Sequence, residues 1–132
     1  MRILAVDYGS ARCGVAVSDD TGTLARPIET VLRVGGDGLA TLLAIVERER
    51  PQLIVVGLPR TPSGQLGRQA QATMAFAGRL RRRVAVPIEL EDERFTTTIA
   101  ARSASRSTTS ALDSRAAAVL LQGVLDRRAA RS

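Results

Sequence analysis

The stretch RILAVDYGSARCGVAVS, Arg2 to Ser18, decides the fold. Its first half is an apolar run, Arg2 to Asp7, with β-branched residues. Its second half, Cys13 to Ser18, alternates small residues with Val15 and Val17. Between them Tyr8 to Arg12 is short and holds a glycine, so the spacing predicts two strands joined by a tight turn. Working outward, Asp19-Asp20-Thr21-Gly22 is turn chemistry, and a third strand follows over Leu24 to Leu32. Pro27 lies inside it and is compatible only with a sheet edge, so the third strand is read as an edge strand.

Beyond Gly35-Gly36, Asp37 is a helix-capping residue type, and Leu39, Leu42, Leu43 and Val46 recur at helical spacing before Pro51. A first helix is therefore predicted over about Gly38 to Arg50. Leu53 to Gly57 is continuously apolar, as expected for a strand covered on both faces, and Pro59 to Gly67 reads as a surface loop. Thr73, Phe76, Ala77 and Leu80 mark a second helix, ending in Arg79, Arg81, Arg82 and Arg83, cations suited to a helix C-terminus. Val84, Val86, Ile88 and Leu90 alternate with more polar positions and predict a fifth strand that runs into acid at Glu91. A last helix is expected from Leu112 to about Arg128. The order βββαβαβα implies an α/β fold, a five-stranded mixed sheet flanked by helices, in one domain spanning residues 1–132.

Composition narrows the chemistry. Histidine is absent, and all 19 basic residues are arginine, so lysine is absent too. Ser-His-Asp and Cys-His catalysis, Schiff-base chemistry, the phosphate-loop lysine and histidine-ligated metals are excluded. The single cysteine, Cys13, cannot form an intrachain disulfide. No stretch approaches the roughly 18 apolar residues of a membrane span, and the apolar start stops at Asp7, too short for a signal peptide. A cytoplasmic protein without membrane contact is expected. The net charge of +6 suits polyanionic partners, and it equally suits an arginine-rich solvated surface.

Three acidic positions stand out by place. Asp7 ends the first strand, Glu91-Asp92-Glu93 ends the fifth, and Asp113 leads a helical stripe of Ala116, Ala117, Leu120, Leu121 and Val124. The C-terminal ends of parallel strands share one sheet edge, so Asp7 and the Glu91 to Glu93 group are expected to converge there. Each acid also has a plain structural reading. Asp7 suits a turn, Asp113 a capping box with Ser110, and the Glu91 to Glu93 run a solvated strand end. Taken together in a chain without histidine, carboxylates gathered by an α/β sheet point to a hard cation, Mg²⁺ or Mn²⁺, held by oxygen alone. Asp7-Tyr8-Gly9-Ser10-Ala11-Arg12-Cys13-Gly14 adds a turn in which Gly9 permits close backbone approach and Arg12 offers a bidentate phosphate contact.

These residues carry a resemblance. Val-Asp-Tyr-Gly at 6 to 9 with Arg12 and Gly14, Val-Val-Gly-Leu-Pro at 55 to 59, Asp-Glu-Arg-Phe-Thr-Thr at 92 to 97, and Asp113 leading Ala-Ala-Ala-Val-Leu-Leu-Gln at 116 to 122 occur in the order of the YqgF, or RuvX, family. That family of pre-16S ribosomal RNA nucleases is similar to the Holliday-junction resolvase RuvC. The resemblance covers nearly the whole chain. It implies a ribonuclease H-like fold and a divalent-metal nuclease acting in 5′-end maturation of 16S rRNA. It also implies Asp7, Glu93 and Asp113 as the catalytic acids and ligands of one or two Mg²⁺ or Mn²⁺ ions. The chain departs from the family at Arg60-Thr61-Pro62-Ser63, where members usually carry an asparagine. It departs again in a short segment, 101 to 110, where members have a longer basic helix.

The expectation is a metal-dependent phosphodiesterase on structured nucleic acid, either pre-16S rRNA or branched DNA, working as a monomer or a homodimer. Arg12 and Arg94 would neutralise the scissile phosphate, Arg94 equally suiting a salt bridge to a neighbouring carboxylate, and Gly9 would let the strand approach. Thr96 or Thr97 would bind phosphate oxygens or cap the following helix. Arg102 and Arg106, in a stretch poor in large apolar residues, would contact the nucleic acid or lie in a plain solvated linker. The alternatives are a junction resolvase acting on DNA and a non-catalytic nucleic-acid-binding factor.

Overall fold

The computed structural model describes residues 1–9, 12–32, 38–59, 67–92 and 109–131. These form β1 (Ile3–Tyr8), β2 (Arg12–Ser18), β3 (Ala25–Leu32), α1 (Leu39–Glu49), β4 (Leu53–Leu58), α2 (Arg68–Arg81), β5 (Ile88–Asp92) and α3 (Thr109–Arg131). The sheet order is β3-β2-β1-β4-β5. β1 pairs antiparallel with β2 and parallel with β4, β2 pairs antiparallel with β3, and β4 pairs parallel with β5. The mixed sheet and the element order are those expected from the sequence.

Side-chain alternation along the strands makes two cores. Leu4, Val6, Tyr8, Val15, Ile54 and Val56 face α1 and α2, where Leu42, Ile45, Phe76 and Leu80 close over them. Ile3, Ala5, Ala16, Leu53 and Val55 face the other way, against Ala117, Leu120, Leu121, Val124 and Leu125 of α3. β1 and β4 are central and nearly wholly buried, which accounts for their unbroken apolar runs. Of the expected α3 stripe, Ala116 is only half-buried, and Leu125 takes part instead.

β3 is an edge strand, and its proline explains its shape. Pro27 faces Ala16 while Glu29 faces Val15, so Ile28 is the extra residue of a β-bulge. The turn from β2 to β3 is organised by Asp19, whose carboxylate accepts from the Thr23 and Leu24 amides at 2.8 and 3.3 Å. Those amides, Thr23 first, hold the Asp19 carboxyl below the usual aspartate range. Gly22 has φ 72°, which favours glycine, and a Cβ there would crowd the Met1 carbonyl at 3.1 Å.

Two expectations change. The fifth strand begins at Ile88, not Val84, because Pro87 has no amide to give a ladder. Pairing starts with the Pro87 carbonyl, which accepts from Ile54 N at 3.0 Å, and Val84 and Val86 pack on the core from a loop. The last helix begins at Thr109, three residues earlier than expected, and runs to Arg131. The first helix starts beside Gly38, which makes no side-chain cap, and Asp37 lies outside the described residues.

Candidate active site

Asp7 is the penultimate residue of β1 and faces the α3 side of the sheet, since Ile3 and Ala5 do and the period is two. It is half-buried. Across the antiparallel pair its partner is Gly14. On the other side the parallel register that pairs Val6 with Val56 brings Gly57 next to it. Gly57 pairs in turn with Glu91 of β5. The row across this face is therefore Gly14, Asp7, Gly57, Glu91. Asp7 has a glycine on each side, so no Cβ covers its carboxylate from either neighbouring strand, and Glu91 stands two strand spacings away, roughly 10 Å.

Glu91 is engaged. Arg127 of α3 donates to its carboxylate, tying the helix to the edge strand. Within the acidic run this gives Glu91 a structural partner on α3. Asp92 is half-buried at the end of β5, opposite Leu58. Glu93, Arg94, Thr96, Thr97, Arg102 and Arg106 lie outside the described residues, as do residues 60 to 66. Asp113 is placed by its backbone in the second turn of α3, the helix packed on the face that carries Asp7, and its side chain is not among those described. Among the described residues no group of three His, Cys, Asp or Glu gathers.

The turn after Asp7 is closed by Gly9, whose amide donates to the Arg12 carbonyl at 2.8 Å. A Cβ at Gly9 would stand 2.7 Å from that same oxygen, so the turn itself demands glycine. Arg12 opens β2, half-buried, within one residue of Cys13, the partner of Tyr8.

Two features of the site were not read from the sequence. Gln69, in the first turn of α2, donates its side-chain amide to the Tyr8 carbonyl at 2.6 Å. The Tyr8 ring stacks on Phe76 of the same helix, with centroids 4.2 Å apart and planes at 18°. Together they clamp the backbone next to Asp7 to α2. Helical spacing did single out Phe76 as a core residue; nothing in the sequence marks the amide contact, made across 61 positions.

A fold of this topology with a half-buried carboxylate at the end of its central strand invites comparison with known proteins. The profile of RuvX, described as Holliday junction resolvase, matches residues 1–127. The chain belongs to the RuvX family. Two other members are each named "Putative pre-16S rRNA nuclease". The one from Rhodococcus opacus (strain B4) is 42% identical over 139 residues, 96% of this chain and 78% of the relative. The one from Moorella thermoacetica is 41% identical over 135 residues, 96% of each chain. Among solved structures, T. thermophilus RuvC in complex with a Holliday junction substrate aligns with TM-score 0.62 at 16% identity, covering 98% of this chain and 96% of that one. The yeast mitochondrial Holliday junction resolvase Ydc2 aligns with TM-score 0.56 at 12% identity, over 96% and 78% of the two chains. At such identities the likeness shows the fold, which is ribonuclease H-like. In this RuvX chain, which lacks histidine, the acids at the strand ends and in α3 offer oxygen donors, the type that suits a hard cation. No helix among the described residues is long and apolar enough to cross a membrane.

Proposed function

We propose that this chain is a divalent-metal-dependent endonuclease that hydrolyses phosphodiester bonds in structured RNA, in 5′-end maturation of pre-16S rRNA. The observation that carries the reading is the carboxylate of Asp7 set between Gly14 and Gly57 at the C-terminal edge of a ribonuclease H-like sheet. Membership of the RuvX family and the name borne by its curated members support the substrate.

Asp7, Glu93 and Asp113 would hold Mg²⁺ or Mn²⁺. Bound there, the cation supplies Lewis-acid activation of water and neutralises charge on the phosphoryl oxygens of an in-line displacement, chemistry that needs no histidine. Asp7 fixes a negative charge at a strand end that the Gly9 turn and the Gln69 clamp hold in place. Gly14 and Gly57 put no side chain from the neighbouring strands beside it. Arg12 and Arg94 balance the phosphate charge, and Arg102 and Arg106 extend the contact along the strand. The domain is a single unit over residues 1–132, acting in the cytoplasm.

The decisive experiment is cleavage of a defined pre-16S rRNA leader and of a four-way DNA junction, each with Mg²⁺, Mn²⁺ or EDTA. Metal-dependent cleavage of the RNA supports the proposal. Cleavage of the junction alone would make the chain a resolvase, which requires a symmetric dimer presenting two sites. Binding without cleavage would make it an assembly factor.

A further inference from the structure

On the face of the sheet opposite α3, the core is not fully covered. Leu43 and Val46 of α1, with Val84 and Val86 from the segment between α2 and β5, line an open groove of about 380 Å³. Leu43, Val84 and Val86 pack on the core yet stay partly exposed. A second depression of about 210 Å³, between Leu39 and the arginines at the end of α2, adjoins the first through Arg83.

Across the two depressions the charge is mostly positive, with Arg79, Arg82 and Arg83 against Glu47. Arg82 and Arg83 are exposed, and the ion pairs of the described residues leave both of them out. Among the described residues, Glu47 is the one acid on the wall of the larger groove, where it faces Arg83. The negative end of α2 explains why cations are tolerated here. It does not explain aliphatic residues left open beside them.

We propose that this groove docks an acidic segment of a partner protein, with aliphatic side chains seated on Leu43, Val84 and Val86 and carboxylates on Arg82 and Arg83. The chemistry favours a peptide over the two other occupants. A nucleic acid would meet the arginines with phosphate but would cover the floor with nothing apolar, and the lining holds no aromatic ring on which a base could stack. A second copy of this chain carries a net charge of +6 and is repelled from a basic patch. The place suits a partner that leaves the reaction free. α2 begins beside Tyr8, through Gln69, and ends beside Ile88, through Arg81, so the groove lies a helix length, about 21 Å, from the Asp7 edge.

The test measures fluorescence anisotropy of short labelled peptides built from leucine and glutamate, one patterned for an extended strand and one for a helix, at physiological salt. The controls replace glutamate by glutamine or leucine by serine, and an oligouridylate tests the nucleic-acid occupant. One glutamate-leucine peptide should bind saturably. Arg82→Glu with Arg83→Glu should weaken it about tenfold or more. Leu43→Gln should weaken it too, and RNA cleavage should be unaffected by both. The milder pair Arg82→Gln with Arg83→Gln carries the test if the reversed pair does not fold. The proposal is overturned if neither peptide binds, if the variants leave binding unchanged, or if the serine control binds as well as leucine. It is also overturned if oligouridylate is held through the same arginines, or if sedimentation shows a dimer that the arginine variants dissolve.

Discussion

Asp7 and Gly14 are cross-strand partners in the β1–β2 pair, and Gly57 stands on the other flank of Asp7. A carboxylate at the end of a central strand would normally be hemmed in by neighbouring side chains at about 4.5 to 5.5 Å. Here both neighbours lack a Cβ.

That arrangement gives the first prediction. Gly57→Ala and Gly57→Val place one and then three carbons between Asp7 and Glu91 in the row across the sheet. Cleavage should fall in that order, by about 10²-fold for valine, because small displacements at a reacting centre are that costly. Gly57 is buried, so valine should also cost about 1 to 3 kcal/mol by overpacking, and thermal melting separates that loss from the loss of cleavage. Undiminished cleavage by Gly57→Val would mean that substrate and metal do not use this space.

Asp7→Asn should abolish cleavage while leaving the fold intact, since a half-buried strand-end carboxylate contributes charge and not packing. Glu93→Gln should do the same. The structure sharpens the comparison within the acidic run, because Glu91 is taken by Arg127. Glu91→Gln should therefore lower stability, by loosening α3 from β5, more than it lowers activity. If Asp92→Asn proved the damaging change and Glu93→Gln did not, the ligand would be misassigned. Asp113→Asn should also end cleavage, and a mere loss of stability with activity kept would return Asp113 to a capping role. Side-by-side melting and cleavage assays read all five.

Gln69→Leu removes the amide that the Tyr8 carbonyl accepts while keeping the side chain's bulk. Loss of one hydrogen bond at a partly buried site costs about 1 kcal/mol, measurable by urea denaturation. Cleavage should drop as well, because the freed carbonyl belongs to the residue after Asp7. Phe76→Ala, which removes the stacked ring at the same place, should cost more, about 3 to 5 kcal/mol. A Gln69→Leu protein as stable as the parent would show that solvent replaces the contact.

The sequence made the order of elements legible because its punctuation is local. Asp19 to Gly22 forms its turn within five residues, and Pro51 ends a helix by its own covalent structure. Val84 and Val86 misled for the opposite reason: they alternate with Ile88 and Leu90 as a strand does, yet they are apolar because they pack on the core from a loop, and Pro87 decides where pairing starts. Asp7 could be picked out from its turn. Its glycine flanks could not, since pairing Gly14 with Asp7, and Gly57 beside it, depends on register, and a shift by one residue exchanges the faces. The contacts from Arg127 to Glu91 and from Gln69 to Tyr8 join distant positions and leave no periodic mark.

Acid should weaken the fold through Glu49. Its carboxylate accepts from Arg2 at 2.6 Å and from Arg48 at 2.9 Å, and these guanidiniums, Arg2 first, hold it below the usual glutamate range. A group whose folded pKa is depressed stabilises the fold fully above its unfolded value, and that contribution disappears as pH falls through the folded value. Melting temperatures followed from about pH 7 to about pH 3 should decline, and Glu49→Gln should start lower and decline less. Parallel pH profiles for the two proteins would remove Glu49 from the acid limb.

The path of the nucleic acid can be tested through its salt dependence. From Arg94 to Ser132 there are seven arginines against Asp113 and Asp126, a local balance of +5 in a chain of +6. Arg127 is already committed to Glu91, which leaves Arg102 and Arg106 as the better candidates for phosphate binding. An arginine that neutralises a phosphate releases nearly one counterion, so Arg102→Ala with Arg106→Ala should weaken RNA binding for every sequence and reduce the salt slope by about 1 to 2. Arg81, Arg82 and Arg83 are the control. Arg81 donates to the Ile88 carbonyl at the start of β5, the end of the strand away from Asp92, so neutralising this cluster should leave the slope unchanged. The reverse outcome, a reduced slope for the 81 to 83 cluster and none for the 102/106 pair, would move the nucleic acid to the α1 and α2 face and away from Asp7.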